Sequence, residues 1–188
     1  MVQTPLKKIS LQDFLQQPDT KPASEYIDGE IIQKPMPKTN HSRLQAKLAA
    51  KIDLALEEKK IAIALTEQRC VFAGRAIVPD ITVLPWHNIP RRADGIMEDE
   101  DLLMAPPWMI EILSKGQSQT KVTKKMFHAL SSGSEMGWLI DPKERCVFVY
   151  KPGLLAALYE SAEQTLPVPD FATGFSLTIG QMFSWLRV

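Results

Sequence analysis

Cysteine is scarce in this chain of 188 residues: there are two, Cys70 and Cys146, each alone in a strand-like apolar run. Neither has a second Cys or His at metal-ligand spacing, which argues against a cysteine-based metal site and predicts two reduced core thiols. Net charge is missing too. Lys+Arg 22 balances Asp+Glu 22, so no global positive field draws the protein onto nucleic acid, and any such contact must come from a local patch. The opening MVQTPLKKIS has no apolar h-region, and no run approaches the roughly 18 apolar residues of a membrane span, which predicts a soluble, cytoplasmic protein without membrane contact. Repeats, low-complexity tracts and linkers are absent as well. With 45% hydrophobic residues, the expectation is one domain over 1–188 with a core of its own.

What is present alternates between strand and helix patterns. Ser10 and Asp13 resemble a capping box for a short helix from Leu11 to about Gln17, closed by Pro18. Tyr26-Ile27 and Glu30-Ile31-Ile32 flank Asp28-Gly29, two residues that tolerate positive φ, and so predict an N-terminal β-hairpin. From Asn40 to about Lys60, Leu44, Leu48, Ile52, Ala55 and Leu56 form one helical stripe, with Lys47, Lys51 and Glu58 off it. Strands are predicted over Ile61–Leu65, Arg69–Phe72 and Ala76–Leu84, and these three are expected at the centre of a sheet. Pro85–Pro107 reads as a long charged loop, of the kind that often borders a site. Trp108–Leu113, Trp138–Ile140, Cys146–Tyr150 and Leu155–Tyr159 read as further strands, Thr120–Ser132 and Ile179–Leu186 as helices. Trp108, Phe127, Trp138 and Trp185 fall in apolar runs and are expected to pack rather than stack on bases.

Two acids interrupt this pattern: Asp80 in AIVPDITVL and Glu111 in PPWMIEILS. An ionised side chain in a buried strand costs several kcal/mol unless something pairs with it, and a divalent metal is one such partner. Hard oxygen ligands suit Mg2+ or Mn2+, which polarise a phosphate, lower the pKa of a bound water and stabilise a leaving oxygen. Lys121, Lys124 and Lys125 follow closely, and a lysine ammonium at such a site offsets transition-state charge. Helical geometry ranks the three. At about 100° per residue the stripe of the Thr120–Ser132 helix is Val122, Met126, Ala129 and Leu130, Lys121 and Lys125 sit at its edge, and Lys124 points away.

The ordered set YIDGEI, a helix opening with His41, VPDITVL, IEILS, a lysine in the next helix, and GWLIDP resembles the Uma-type restriction endonucleases of the PD-(D/E)XK nuclease superfamily. The resemblance spans roughly residues 25–150. It implies an α/β (α+β) restriction-endonuclease-like core, a central mixed β-sheet flanked by helices, and a Mg2+- or Mn2+-dependent endonuclease acting on DNA. It makes Asp80 and Glu111 the catalytic acids and metal ligands, Lys125 the catalytic lysine relocated to a helix, and Glu30 an accessory acid. A homodimer follows by the same resemblance, because two sites related by two-fold symmetry match duplex DNA. The chain departs from the pattern at Leu113, where the superfamily's lysine usually stands, at Lys121 in place of an acid, and at Met136-Gly137-Trp138 in place of Glu-Tyr-Trp.

Each residue also has a plainer reading. Asp80 after Pro79 could cap backbone N–H groups at a strand end. Glu111, between Ile110 and Ile112, has fewer alternatives to solvent or a cation. Glu30 could be an exposed hairpin residue, with Glu25 competing for its role, and His41 could serve the helix N-terminus instead of a substrate phosphate. The cluster Lys115–Lys125, with Lys121 as an auxiliary phosphate contact, is either a solvated face or the local basic patch. A catalytically degenerate binding or assembly module with the same fold is the alternative function.

Overall fold

The Asp28-Gly29 pair turns the chain as its composition predicts. In the computed structural model, which describes residues 9–187, Ser24–Ile27 (β1) and Glu30–Gln33 (β2) pair antiparallel with Ile27 opposite Glu30. Asp28 (φ 54°) and Gly29 (φ 91°) take the left-handed conformations that a two-residue hairpin requires. Ahead of the hairpin, Leu11–Leu15 (α1) starts where Ser10 accepts a hydrogen bond from the Asp13 N–H and ends two residues earlier than expected. Its Phe14 packs on Tyr26, ring centroids 5.8 Å apart.

The run read as a single strand over Ala76–Leu84 is two strands in two sheets. Arg75–Ile77 (β5) pairs with β1 and with Cys70–Phe72 (β4), giving a four-stranded sheet of order β2-β1-β5-β4. Ile81–Pro85 (β6) joins a six-stranded sheet instead. The break falls at Val78-Pro79-Asp80, because Pro79 has no N–H for a ladder. Side chains take over the backbone groups beside it: Glu25 Oε1 accepts from Val78 N at 3.0 Å, and Lys34 Nζ donates to Val78 O at 2.6 Å.

The larger sheet has the order β10-β9-β8-β7-β6-β3, formed by Ala62–Thr66 (β3), β6, Trp108–Ile112 (β7), Met136–Asp141 (β8), Cys146–Tyr150 (β9) and Ala157–Tyr159 (β10). Its centre is therefore the parallel pair β7 and β8, not the earlier strands: β3 and β4 are edges of their respective sheets. The reason is cover on both faces, which suits the continuous apolar runs of β7 and β8. On one face Trp108, Ile110 and Ile112 pack with Leu44, Leu48, Ile52 and Leu56 of the helix Thr39–Leu56 (α2). On the other, Met109 packs with Val122, Met126 and Ala129 of the helix Gln119–Ser131 (α3). Trp108 and Trp138 are fully buried, edge to face at 4.8 Å, whereas Phe127 is half-exposed and packs at the periphery, edge to face with Tyr150 at 5.8 Å.

Residues 86–107 form the long irregular connection. Its Leu102 exchanges backbone hydrogen bonds with Arg69 and Val71 and so covers the β4 edge, placing Asp99, Glu100 and Asp101 over the space between the two sheets. Ile179–Ser184 (α4), opened by a Thr178–Gln181 capping box, closes the α2 face. Among the described residues no helix is long and apolar enough to cross a membrane.

Candidate active site

Where β6 and β7 run side by side, the break at Pro79 and the acid on β7 meet. Strand alternation turns Glu111 toward α3, between Ile110 and Ile112, which face α2. Asp80, one residue ahead of β6, accepts from Ile112 N at 2.7 Å through Oδ2, so its carboxylate is tied to the strand carrying Glu111. Both acids are buried. The plainer reading of Asp80 as a cap for backbone N–H groups therefore describes one of its contacts but leaves others unexplained.

The remaining contacts are side-chain nitrogens. Lys34 Nζ lies 2.6 Å from Asp80 Oδ1 and 3.9 Å from Glu111 Oε2, and His41 Nε2 lies 3.0 Å from Asp80 Oδ2. Lys125 Nζ donates to Glu111 Oε1 at 2.7 Å and to both oxygens of Glu25, at 2.8 and 3.1 Å. One buried network thus joins Glu25, Lys34, His41, Asp80, Glu111 and Lys125.

Burial opposes ionisation of Asp80, but the Lys34 ammonium and the His41 hydrogen bond outweigh it and hold the carboxyl well below its usual range. An ionised Asp80 only accepts, so His41 Nε2 is the donor of this pair, and its Nδ1 is buried with no hydrogen-bond partner. For Glu111 burial prevails: its carboxyl is pushed up to about 7, with Lys125 and Lys34 pulling against the shift and Asp80 and Glu25 adding to it. Burial also works against charge on both lysines, yet the surrounding carboxylates keep Lys34 and Lys125 above the ordinary lysine value. Both are cations at neutral pH.

Of the residues singled out from the sequence, the structure brings Asp80, Glu111, Lys125 and His41 together. Glu30 is exposed beside the hairpin turn and Glu25 contacts Lys125 in its stead. Both acids share one face of the hairpin, but the Ile27–Glu30 pair lies two residues nearer the tip than the Glu25–Ile32 pair, about 7 Å along the strand. Lys121 and Lys124 are exposed. Lys34 was not singled out at all. Its signal is cross-strand geometry: it continues the face of Ile32, diagonal to Glu25, and is the first charged residue on that face after Glu30.

A cavity of about 730 Å³ opens onto this network, lined by Lys34, His41, Asp80 and Ser114 among others, with Asp99, Glu100 and Asp101 at its rim. A second, of about 610 Å³, shares His41, Ser114 and Gln117 with the first and is lined by Lys38 ahead of α2, Lys115 after β7 and Lys143 in the β8–β9 turn. Lys121 lines neither.

Among the described residues no three His, Cys, Asp or Glu side chains stand together as a ready metal cluster. Three oxygens nevertheless surround one cation: Asp80 Oδ1, Val78 O and Glu111 Oε2 around Lys34 Nζ. Two carboxylates and a carbonyl are the hard donors that Mg2+ or Mn2+ selects, so the donor set fits such an ion, with the ammonium standing at its centre.

Comparison with known proteins finds a family and a solved structure that this chain resembles. The Uma2 family, described as "Putative restriction endonuclease", matches residues 11–180. A crystal structure of "a putative nuclease belonging to DUF820" from Anabaena variabilis ATCC 29413 superposes with a TM-score of 0.92 at 48% sequence identity, over 95% of this chain and 99% of that one. No curated protein matches.

Proposed function

Because the chain belongs to the Uma2 restriction endonuclease family and has its restriction-endonuclease-like fold, we propose that it is a Mg2+- or Mn2+-dependent endonuclease that hydrolyses phosphodiester bonds in DNA. Family and structural neighbour support a nuclease; the ion, the DNA substrate and the residue roles are our reading. The observation that carries it is the convergence of Asp80 and Glu111, from two neighbouring strands, on a single cation position.

Asp80 and Glu111, with the Val78 carbonyl, hold the ion. When bound, it supplies a polarised phosphate and a water of lowered pKa. Asp80 is kept ionised by its three donors and is ready to ligate. Lys125 is the lysine on which the site depends. Enclosed by carboxylates, it remains a cation and cannot act as a base; it orients Glu111 and offsets negative charge from a buried position. His41 reaches both cavities from the first turn of α2, and the lysines of the second cavity form the local basic patch along which a nucleic-acid backbone runs. A two-fold dimer would set two such sites against the two strands; light scattering should then give twice the 21.1 kDa chain mass.

Plasmid nicking in Mg2+ or Mn2+ against EDTA tests the proposal, with Asp80→Asn and Glu111→Gln as controls and a matched RNA to settle the sugar. Cleavage that survives Asp80→Asn, or no cleavage by the unaltered chain with either ion, would refute it. One observation favours the second reading, a binding module without chemistry: an ammonium already neutralises Asp80. That module would retain DNA while binding no divalent ion.

A further inference from the structure

The two lysines of the network are not equivalent. Lys125 is gripped on two sides, by Glu111 and by both oxygens of Glu25, and is not among the residues lining the adjoining cavity. Lys34 sits among the oxygens of Asp80, Val78 and Glu111, but its stem enters from the segment Lys34-Pro35-Met36-Pro37, all four residues of which line the 730 Å³ cavity. Its side chain is 10% exposed. One lysine is locked in place and the other has a way out.

The exchange is a steric requirement: Mg2+ takes oxygens at about 2.0–2.1 Å, and oxygens drawn that close around a metal leave no room for an ammonium among them.

We propose that Lys34 is an exchangeable internal cation: it fills the divalent-ion position of the ion-free protein and, on ion entry, swings into the cavity, where its ammonium is presented to a substrate phosphate. The structure without ion is then stable and closed to chemistry, and loading the ion and arming the phosphate contact become one event. Lys34 acts on the ion by competition and on the substrate by contact; Lys125 does neither. This rests on the reading of Asp80 and Glu111 as the ion's ligands.

Two measurements on the full chain test it. The first is the Mn2+ dissociation constant by calorimetry for the unaltered chain, Lys34→Gln and Asp80→Asn. Glutamine is neutral and one atom shorter, so it lacks the charge-assisted hydrogen bonds that an ion must break, and Lys34→Gln should bind Mn2+ about tenfold tighter or more. The second is acetylation of lysines by an N-hydroxysuccinimide ester, read by peptide mass spectrometry. It uses the unaltered chain and so does not depend on the variant folding. Lys34 should be protected in EDTA and react several-fold faster with Mn2+ present, while Lys125 stays protected in both. Equal or weaker Mn2+ binding by Lys34→Gln, with binding abolished by Asp80→Asn, would overturn the exchange and leave the ligand assignment standing. The exchange also falls if Lys34 labelling is unchanged while the ion is bound. Absence of Mn2+ binding in every protein would overturn both. Binding by Lys34→Gln but not by the unaltered chain would support the exchange in its strongest form.

Discussion

Replacing Lys125 by Met keeps an unbranched stem on the buried face of α3 that Val122 and Ala129 share, and removes the charge. Three short contacts disappear, at 2.7, 2.8 and 3.1 Å, and the carboxylates of Glu25 and Glu111 lose their common partner. Removing one member of a buried ion pair costs about 3–5 kcal/mol, because the charge left behind has neither water nor a counter-ion. For a chain of this size each kcal/mol is worth about 2–4 °C in Tm, so the variant should melt on the order of 6–20 °C lower at pH 8.5. The deficit should also depend on pH. Burial already pushes the Glu111 carboxyl up to about 7 from its ordinary 4.5, and Lys125 is the strongest pull against that rise. Without it the folded-state value climbs further. A carboxyl raised in the folded state destabilises progressively as pH rises from the unfolded value to the folded one, and not at all below both. Lys125 itself is a cation throughout this range, so its removal carries a part that does not vary with pH. The part carried by Glu111 opens only above about 7, where that carboxyl ionises in the unaltered chain and lags behind in the variant. Urea or thermal melts of the two proteins should therefore show a larger deficit at pH 8.5 than at pH 5, and an equal deficit at both would show that Glu111 ionisation plays no part in it.

Glu30→Gln should leave stability within about 0.5 kcal/mol, as for other exposed positions, while Glu25→Gln, which weakens the grip on both Lys125 and Val78 N, should lower Tm and plasmid nicking together; the reverse ranking would restore Glu30 as the accessory acid. At Gly137 a Cβ would lie 2.7 Å from Met126 Sδ in the seam between α3 and the sheet, so Gly137→Ala should cost about 1–3 kcal/mol by overpacking and is checked by denaturant titration. Burial pushes the Cys70 thiol up to about 12 and that of Cys146 to about 11, so neither should react with a disulfide reagent at pH 8 until the protein is unfolded; fast labelling of the native chain would contradict the packing of β4 and β9.

The local elements could be read from the sequence because their signals are local. Asp28-Gly29 specifies a turn by its tolerance of positive φ, the α2 stripe of Leu44, Leu48, Ile52 and Leu56 marks one helix face, and the edge position of Lys125 on α3 follows from 100° per residue. Asp80 and Glu111 stand out because an acid in an apolar run needs a partner, whatever the fold. Which partner was left to tertiary structure. Lys34 meets Asp80 across 46 residues and Lys125 meets Glu25 across 100, and periodicity says which face of an element is buried without saying what will cover it. The same gap hid the split of Ala76–Leu84 between two sheets and the choice of β7 and β8 as the centre, since both depend on strand order. Glu25 and Glu30 look alike in sequence, two acids flanking one turn on one face of a hairpin; only the docking of that hairpin against the break at Pro79 buries the first in the site and leaves the second in water.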